Sequence, residues 1–132
     1  MSSRGIRGAI TVEADLPDKV TAATQELLQG ILAANPTLSA ADVAFAFFTV
    51  TDDIVSAYPA QAARQMGWEG VPMLCGREIP VPGGLPLCIR ILIVWNTDLA
   101  QSQVRHVYLR QAACLRPDWA TSSLATEGRK SL

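Results

Sequence analysis

The sequence is poor in the side chains that most enzymes use for acid–base and metal chemistry. Its 132 residues include one histidine, His106, so a Ser-His-Asp triad, a zinc site built from several histidines and the HExxH motif are excluded or lack partners. Neither GxGxxG nor GxxxxGK[ST] occurs, which removes the common nucleotide-binding fingerprints. We therefore expect no metal site and no nucleotide cofactor.

Charge, cysteine and long apolar runs are also scarce. The net charge of -1 offers no basic surface for nucleic acid. No apolar run approaches the ~18 residues of a membrane span, and two arginines interrupt MSSRGIRGAI, where a secretory signal would need apolar residues. Three cysteines form no CxxC pair, which argues against a disulfide scaffold. These features predict a cytoplasmic protein that binds neither nucleic acid nor membrane.

The chain does contain enough apolar residues for one core. Hydrophobic residues make up 49% of the sequence, and its length is typical of one domain. We assign that domain to residues 1–118. The segment 119–132 is small and polar, and we expect it to be a flexible C-terminal tail.

The apolar pattern predicts an alternation of strands and helices. Apolar residues at helical spacing follow Pro17 as far as Ala34, and a second helix is expected over residues 59–66. The segments predicted as strands are 5–12, 43–51, 71–79, 88–95 and 106–115. The order β-α-β-α-β-β predicts an α/β (α+β) fold with a single mixed sheet and helices on one face. Since the strands are apolar on both sides, subunit association should cover the other face.

The most unusual residue is Arg90, which lies within the aliphatic strand CIRILIVW. A guanidinium keeps its charge at neutral pH, and burial without a partner would cost several kcal/mol or more. Arg90 therefore meets water or an anion. The sequence leaves three arrangements open: an ion pair with an internal carboxylate, the solvent side of an edge strand, or a ligand site.

Several other residues have one structural and one functional interpretation. Arg7 lies between glycines that allow close approach, and Glu78 lies on a predicted strand, where it would face solvent or accept a hydroxyl or guanidinium. The phenol of Tyr108 needs a partner if it is buried. Cys75 is typical of a small buried apolar residue.

Four stretches together resemble the AroH-class bacterial chorismate mutases over nearly the whole chain. They are RGIRGAITVE, AYPAQAARQMGW, VPMLCGREIPVPGGLPLCIR and VRHVYLRQAACLRPD. The resemblance implies the cofactor-free Claisen rearrangement of chorismate to prephenate, a step of phenylalanine and tyrosine biosynthesis. It also implies a Bacillus chorismate mutase-like domain that assembles into a homotrimer, a trimeric pseudo-α/β barrel with active sites at the subunit interfaces.

The same resemblance implies roles for individual residues. Arg90 would reach the ether oxygen and a carboxylate of chorismate, Arg7 and Tyr108 would each bind a carboxylate, and Glu78 would bind the ring hydroxyl. The resemblance also implies further substrate-binding positions. They lie beside that hydroxyl, line the cleft, carry charge at its mouth or begin a covering tail. These positions are Cys75, Leu74, Met73, Tyr58, Ala60, Arg64, Leu115 and Arg116.

Two residues depart from the family pattern. Gln61 stands where relatives often carry a lysine, and Tyr58 replaces a phenylalanine. Both changes should affect substrate capture more than the chemical step. Two other functions remain open: a trimeric imine or enamine deaminase with an interface arginine, whose own motifs are not evident here, and a non-catalytic sensor of an aromatic-pathway metabolite.

Overall fold

A computed structural model of the protein describes residues 1–118, and the predicted tail over 119–132 lies outside the described residues. Its strands form one five-stranded mixed sheet in the order β3-β2-β4-β1-β5. The pairs β1–β4 and β2–β4 are antiparallel, whereas β1–β5 and β2–β3 are parallel. The strands are β1 (Ser2–Thr11), β2 (Val43–Val50), β3 (Met73–Arg77), β4 (Cys88–Thr97) and β5 (Val107–Tyr108).

Two helices cover one face of this sheet, which confirms the predicted layer arrangement. Helix α1 (Pro17–Ala34) begins with a proline, which is favourable in a first turn, and buries a stripe that includes Val20, Leu27 and Ile31. Helix α2 (Pro59–Gln65) is shorter, and its alanines join the same core. Among residues 1–118, neither helix is long and apolar enough to cross a membrane.

The prediction of a strand over 106–115 is wrong for most of that segment. Only Val107–Tyr108 pairs with β1, and the chain then forms a short 3-10 helix over Arg110–Cys114. The break falls at Arg110, whose φ of 55° lies in the left-handed region. Its guanidinium donates to Thr11 O at 2.9 Å and forms an ion pair with Glu26 on α1 at 2.6 Å. These contacts stabilise a turn that the apolar pattern does not predict.

The second face of the sheet, which we call the open face, has a mixed surface within one chain. Alternation along β4 places Arg90, Leu92 and Val94 on this face, opposite the buried isoleucines. On the strands of this face, the large apolar side chains with more than about a third of their surface exposed are Phe45, Phe47, Leu74 and Leu92. Within residues 1–118, only the end near β5 is covered, where the 3-10 helix contributes Ala112 to a small second cluster with Ala9, Cys88 and Tyr108.

Candidate functional site

The open face brings Arg90 and Glu78 together. Arg90 on β4 is paired with Thr49 on β2, and Glu78 directly follows β3, the neighbouring edge strand. Arg90 Nε lies 3.4 Å from Glu78 Oε2, and Thr49 donates a hydrogen bond to the same carboxylate oxygen. Arg90 therefore forms the ion pair that the sequence left open, with a carboxylate that Thr49 holds in place.

The ion pair borders a cavity, so it is not sealed inside the protein. About 30% of the Arg90 side chain and 24% of the Glu78 side chain are exposed. Both residues line a cavity of about 510 Å³, together with the β3–β4 loop and the turn that follows β2. Among the described residues, the buried Arg90 Nε has no hydrogen-bond partner. The guanidinium therefore meets a carboxylate on one side and a space large enough for a small molecule on the other.

Tyr108 lies on the same face as Arg90. Ala9 on β1 is paired with Arg90 of β4 on one side and with Tyr108 of β5 on the other. The large side chains of Arg90 and Tyr108 therefore flank the small side chain of Ala9. Burial raises the pKa of Tyr108, while the charges of Arg7, Arg116 and Arg90 oppose that rise. Tyr108 is therefore a neutral phenol at physiological pH and lies within the field of three guanidinium groups.

Arg7 lies on β1 two residues before Ala9, on the same face and half-buried. Its backbone N–H donates to His106 Nδ1 at 3.0 Å. Arg116 follows the 3-10 helix and donates to the carboxylate of Asp118 at 2.8 and 3.1 Å. The open face thus collects guanidinium groups from β1, β4 and the C-terminal part of the described chain, an arrangement suited to an anion with more than one carboxylate.

Cys88 and Leu115 pack beside these groups. Burial raises the pKa of the Cys88 thiol to about 11, with the charge of Arg90 acting in the opposite direction. Cys88 is therefore a neutral thiol at physiological pH. Leu115 packs against the small cluster that contains Cys88 and Tyr108, and this contact keeps the chain after the 3-10 helix close to the open face.

A second group of predicted site residues lies elsewhere in the chain. Tyr58 and Cys75 line a larger cavity of about 890 Å³, which α1, α2 and the end of β3 enclose. Tyr58 is 70% exposed, whereas Ala60 is buried in the main core. Within one chain, Cys75 therefore lies in a different cavity from Glu78, and Ala60 lines neither of these two cavities.

The remaining predicted positions lie on α2 and β3, the elements that also carry Ala60 and Cys75. Met73 is half-buried at the start of β3 and packs against the main core. Leu74 is 71% exposed on the open face beside Phe47, and Arg64 is exposed in the last turn of α2. The proposed binding residues thus form two groups that one chain does not join.

Three residues near the site were missed by the sequence analysis. Thr49 binds Glu78, His106 binds the backbone of Arg7, and Asp53 accepts from Leu87 N at 3.0 and 3.1 Å just before β4. The signal for Thr49 was present, because it is the polar residue on the open side of an otherwise apolar strand. Asp53 and His106 act through backbone groups, which leave no sequence pattern.

Comparison with known proteins gives consistent results. The family model described as "Chorismate mutase type I" matches residues 3–119. "Chorismate mutase AroH" of Thermus thermophilus is 58% identical over 115 residues, which are 87% of this chain and 94% of that protein. "Chorismate mutase AroH" of Bacillus subtilis (strain 168) is 43% identical over 119 residues, which are 89% and 93% of the two chains.

A solved structure agrees with these sequence matches. The chorismate mutase from Clostridium thermocellum aligns with a TM-score of 0.81 and 43% sequence identity. The alignment covers 83% of this chain and 97% of that one. The similarity therefore extends over both the fold and most of the sequence.

Proposed function

This chain belongs to the type I chorismate mutase family, and we propose that it rearranges chorismate to prephenate in a site completed by a second copy of itself. As a chorismate mutase, the protein is an isomerase. The reaction is a step of phenylalanine and tyrosine biosynthesis in this family. It is unimolecular, so it needs shape and fixed charge and no cofactor.

The observation that carries the proposal is the environment of Arg90. Its guanidinium lies between aliphatic neighbours at a cavity, and its Nε, 3.4 Å from Glu78 Oε2, has no hydrogen-bond partner among residues 1–118. During the rearrangement, negative charge develops on the ether oxygen as the carbon–oxygen bond breaks and a carbon–carbon bond forms. A donor already aimed at that oxygen stabilises the transition state more than the substrate, and the low-dielectric surroundings strengthen the interaction.

The other charged and polar groups act by positioning. Chorismate must be held with its side chain folded over the ring before the bond can form, which is a near-attack arrangement. In our proposal Arg7 and Tyr108 bind carboxylates, Glu78 accepts the ring hydroxyl, Arg116 adds charge at the mouth and Leu115 covers the site. Tyr108 is suited to this role because a phenol that keeps its proton does not repel a carboxylate.

We propose that the cleft lies between subunits of a homotrimer. Two features support this: the exposed apolar residues of the open face need a cover, and the predicted binding residues divide into two groups within one chain. A second subunit would bring its own copy of the second group to Arg90 and Glu78. The residues that would cross the interface are Tyr58, Ala60, Arg64, Met73, Leu74 and Cys75.

The test is incubation of the purified protein with chorismate while chorismate loss and prephenate appearance are followed together. We expect stoichiometric conversion without added metal or cofactor. Binding of chorismate without consumption would favour a sensor. Turnover of amino-acid-derived imines, with none of chorismate, would favour a deaminase.

Assembly and location have separate tests. Multi-angle light scattering should give the mass of three chains, and a monomer that is fully active would contradict the shared cleft.

We also propose a cytoplasmic location, because Cys75, Cys88 and Cys114 are free thiols, as expected in a reducing compartment. Cell fractionation tests this location.

A further inference from the structure

We infer that His106 is a positioning residue that holds Arg7 in the proposed site, by accepting the Arg7 backbone N–H at an unprotonated Nδ1. The inference rests on the proposed function for its catalytic consequence. The contact itself is a property of the fold. Arg7 N donates to His106 Nδ1 at 3.0 Å, and the two residues are separated by 99 positions in the chain.

The contact exists because β5 is too short to pair with all of β1. Parallel pairing begins at Gly8 with Val107 and continues only to Ala9 with Tyr108. The Arg7 N–H lies just before this pairing, so β5 offers it no backbone acceptor. The imidazole of His106, immediately before β5, supplies the acceptor that a longer strand would have supplied from its backbone.

A hydrogen bond at this point fixes the direction of the Arg7 side chain. Arg7 is opposite Leu92 in the continuous pairing of β1 with β4, so the strand is held on one side by β4 and on the other by the imidazole. Its guanidinium extends from this backbone toward the open face. Losing the imidazole contact would release the β5 side of the backbone and widen the range of positions that the guanidinium occupies.

The acceptor role requires one protonation state. A protonated imidazole carries hydrogen on both nitrogens and cannot accept from Arg7 N. The charged groups that act on His106 are Arg7 from β1 and Arg116 and Asp118 from the segment after the 3-10 helix. Burial lowers the pKa of His106, Arg116 and Arg7 lower it further, and Asp118 opposes them. The surroundings therefore favour the neutral form that the hydrogen bond needs.

The direct test uses the fact that the untagged protein has a single histidine. Imidazole 15N spectra of the full chain should report a neutral ring protonated at Nε2, with a titration midpoint below the ordinary value of 6.5. A neutral ring protonated at Nδ1, or a midpoint above 6.5, would overturn the inference. This measurement does not depend on chorismate turnover.

The kinetic test compares two amides. In His106→Asn, the carbonyl oxygen takes nearly the place of Nδ1 and cannot be protonated, whereas in His106→Gln it lies one bond farther from the backbone. We expect His106→Gln to raise KM about tenfold, the effect of losing roughly one hydrogen bond from a substrate-positioning group. His106→Asn should recover most of that loss. It should also lack the decline in kcat/KM that we expect of the wild type as pH falls through the lowered pKa of His106.

Arg105→Asn is the matched control, because it introduces the same amide at the neighbouring exposed position. It should leave KM, and the decline in kcat/KM at acid pH, as in the wild type. General destabilisation would lower the active fraction and thus the apparent kcat, without changing KM. Equal KM values for the Asn and Gln variants would overturn the inference, whereas a wild type that does not convert chorismate would overturn the proposed function.

Discussion

The two faces of strand β4 differ sharply although they are separated by one residue along the chain. Ile89, Ile91 and Ile93 are buried in the main core beneath α1. Arg90 and Leu92 alternate with them on the open face and are partly exposed. One face therefore stabilises the fold, and the other is available for assembly and substrate. The comparison teaches that stability and proposed chemistry can be altered separately on a single strand.

The largest effect is expected where the open face would meet another subunit. Leu92→Asp places a carboxylate in the apolar surface formed with Phe47 and Leu74. If that surface is buried between subunits, the unpaired charge should dissociate the trimer and abolish turnover with it. Light scattering and chorismate turnover on the same samples measure both results.

Leu92→Met is the control for this change, since it keeps an apolar side chain of similar volume. It should leave the mass and the activity close to those of the wild type. A Leu92→Asp monomer with normal kcat/KM would show that the open face is not an interface and that one chain is sufficient for catalysis.

The next largest effect should come from Arg90→Ala. Loss of a preorganised donor to a developing oxyanion typically reduces kcat by about 100- to 1000-fold. Arg90→Lys should recover little, because a point charge does not reproduce the planar guanidinium. Light scattering and circular dichroism should be unchanged, which would localise the loss to the chemical step. Turnover near the wild-type rate would contradict the assigned role.

The fold was predictable from the sequence wherever burial determines the pattern. The apolar stripe of α1, with Pro17 at its start, and the buried strands β2 and β4 were identified nearly to their ends. The strand over 106–115 was not, because its course changes at Arg110. The left-handed conformation of Arg110 is stabilised by Thr11 and Glu26, which are distant in sequence, and no local pattern records those contacts.

The candidate site was predictable only in part. Arg90 could be identified from the sequence, because burying a charged guanidinium in an aliphatic strand costs free energy unless it has a partner. The structure places Arg90 against Glu78 beside a cavity. The roles of Arg7, Tyr108 and Cys75 came from family resemblance. Asp53 and His106 were missed because they hold backbone groups, whereas Thr49 was missed although it is a polar residue in an apolar strand. The roles of all the site residues stay predictions.

Ile91→Ala tests whether the buried face of β4 can be changed without affecting the open face. Ile91 is 3% exposed and adjoins both Arg90 and Leu92 in sequence. Its truncation should lower the free energy of unfolding by about 2–5 kcal/mol, through lost burial and the cavity left behind. At a temperature where the protein is folded, kcat should stay within about twofold, since the side chain points away from the proposed site. A large loss of kcat in folded protein would mean that the two faces are not separable.

A smaller loss of stability is expected from a change at the start of β4, where the register of this strand against its neighbours is established. A shift of that register by one residue would exchange the buried and open faces of β4. Leu87, just before the strand, has a φ of 51°, and its N–H is bound by both Asp53 carboxylate oxygens. Asp53→Ala should lower the free energy of unfolding by about 0.5–1.5 kcal/mol, the net contribution of a hydrogen bond whose donor can turn to water instead.

Leu87→Gly provides the internal check on this interpretation. Glycine adopts a positive φ without steric penalty but removes a side chain that packs against the core, so Leu87→Gly should be less destabilising in the Asp53→Ala background than in the wild type. Chemical denaturation of both single variants and the double variant measures the coupling. Strict additivity would contradict a link between Asp53 and the backbone of Leu87.

The smallest effect should be the response to pH near neutrality, where kcat/KM is expected to change by less than about twofold between pH 7 and 8. The titrating groups concerned, His106 and Tyr108, both adjoin the open face. The pKa of His106 is lowered from 6.5 by burial, Arg116 and Arg7, so the unfolded chain takes up its proton first and stability declines as pH falls below 6.5. The pKa of Tyr108 is raised from 10.0 by burial, so its contribution is lost only as pH rises above 10.0. Both changes lie outside pH 7 to 8, so a bell-shaped profile within that interval would require a titrating group other than His106 and Tyr108.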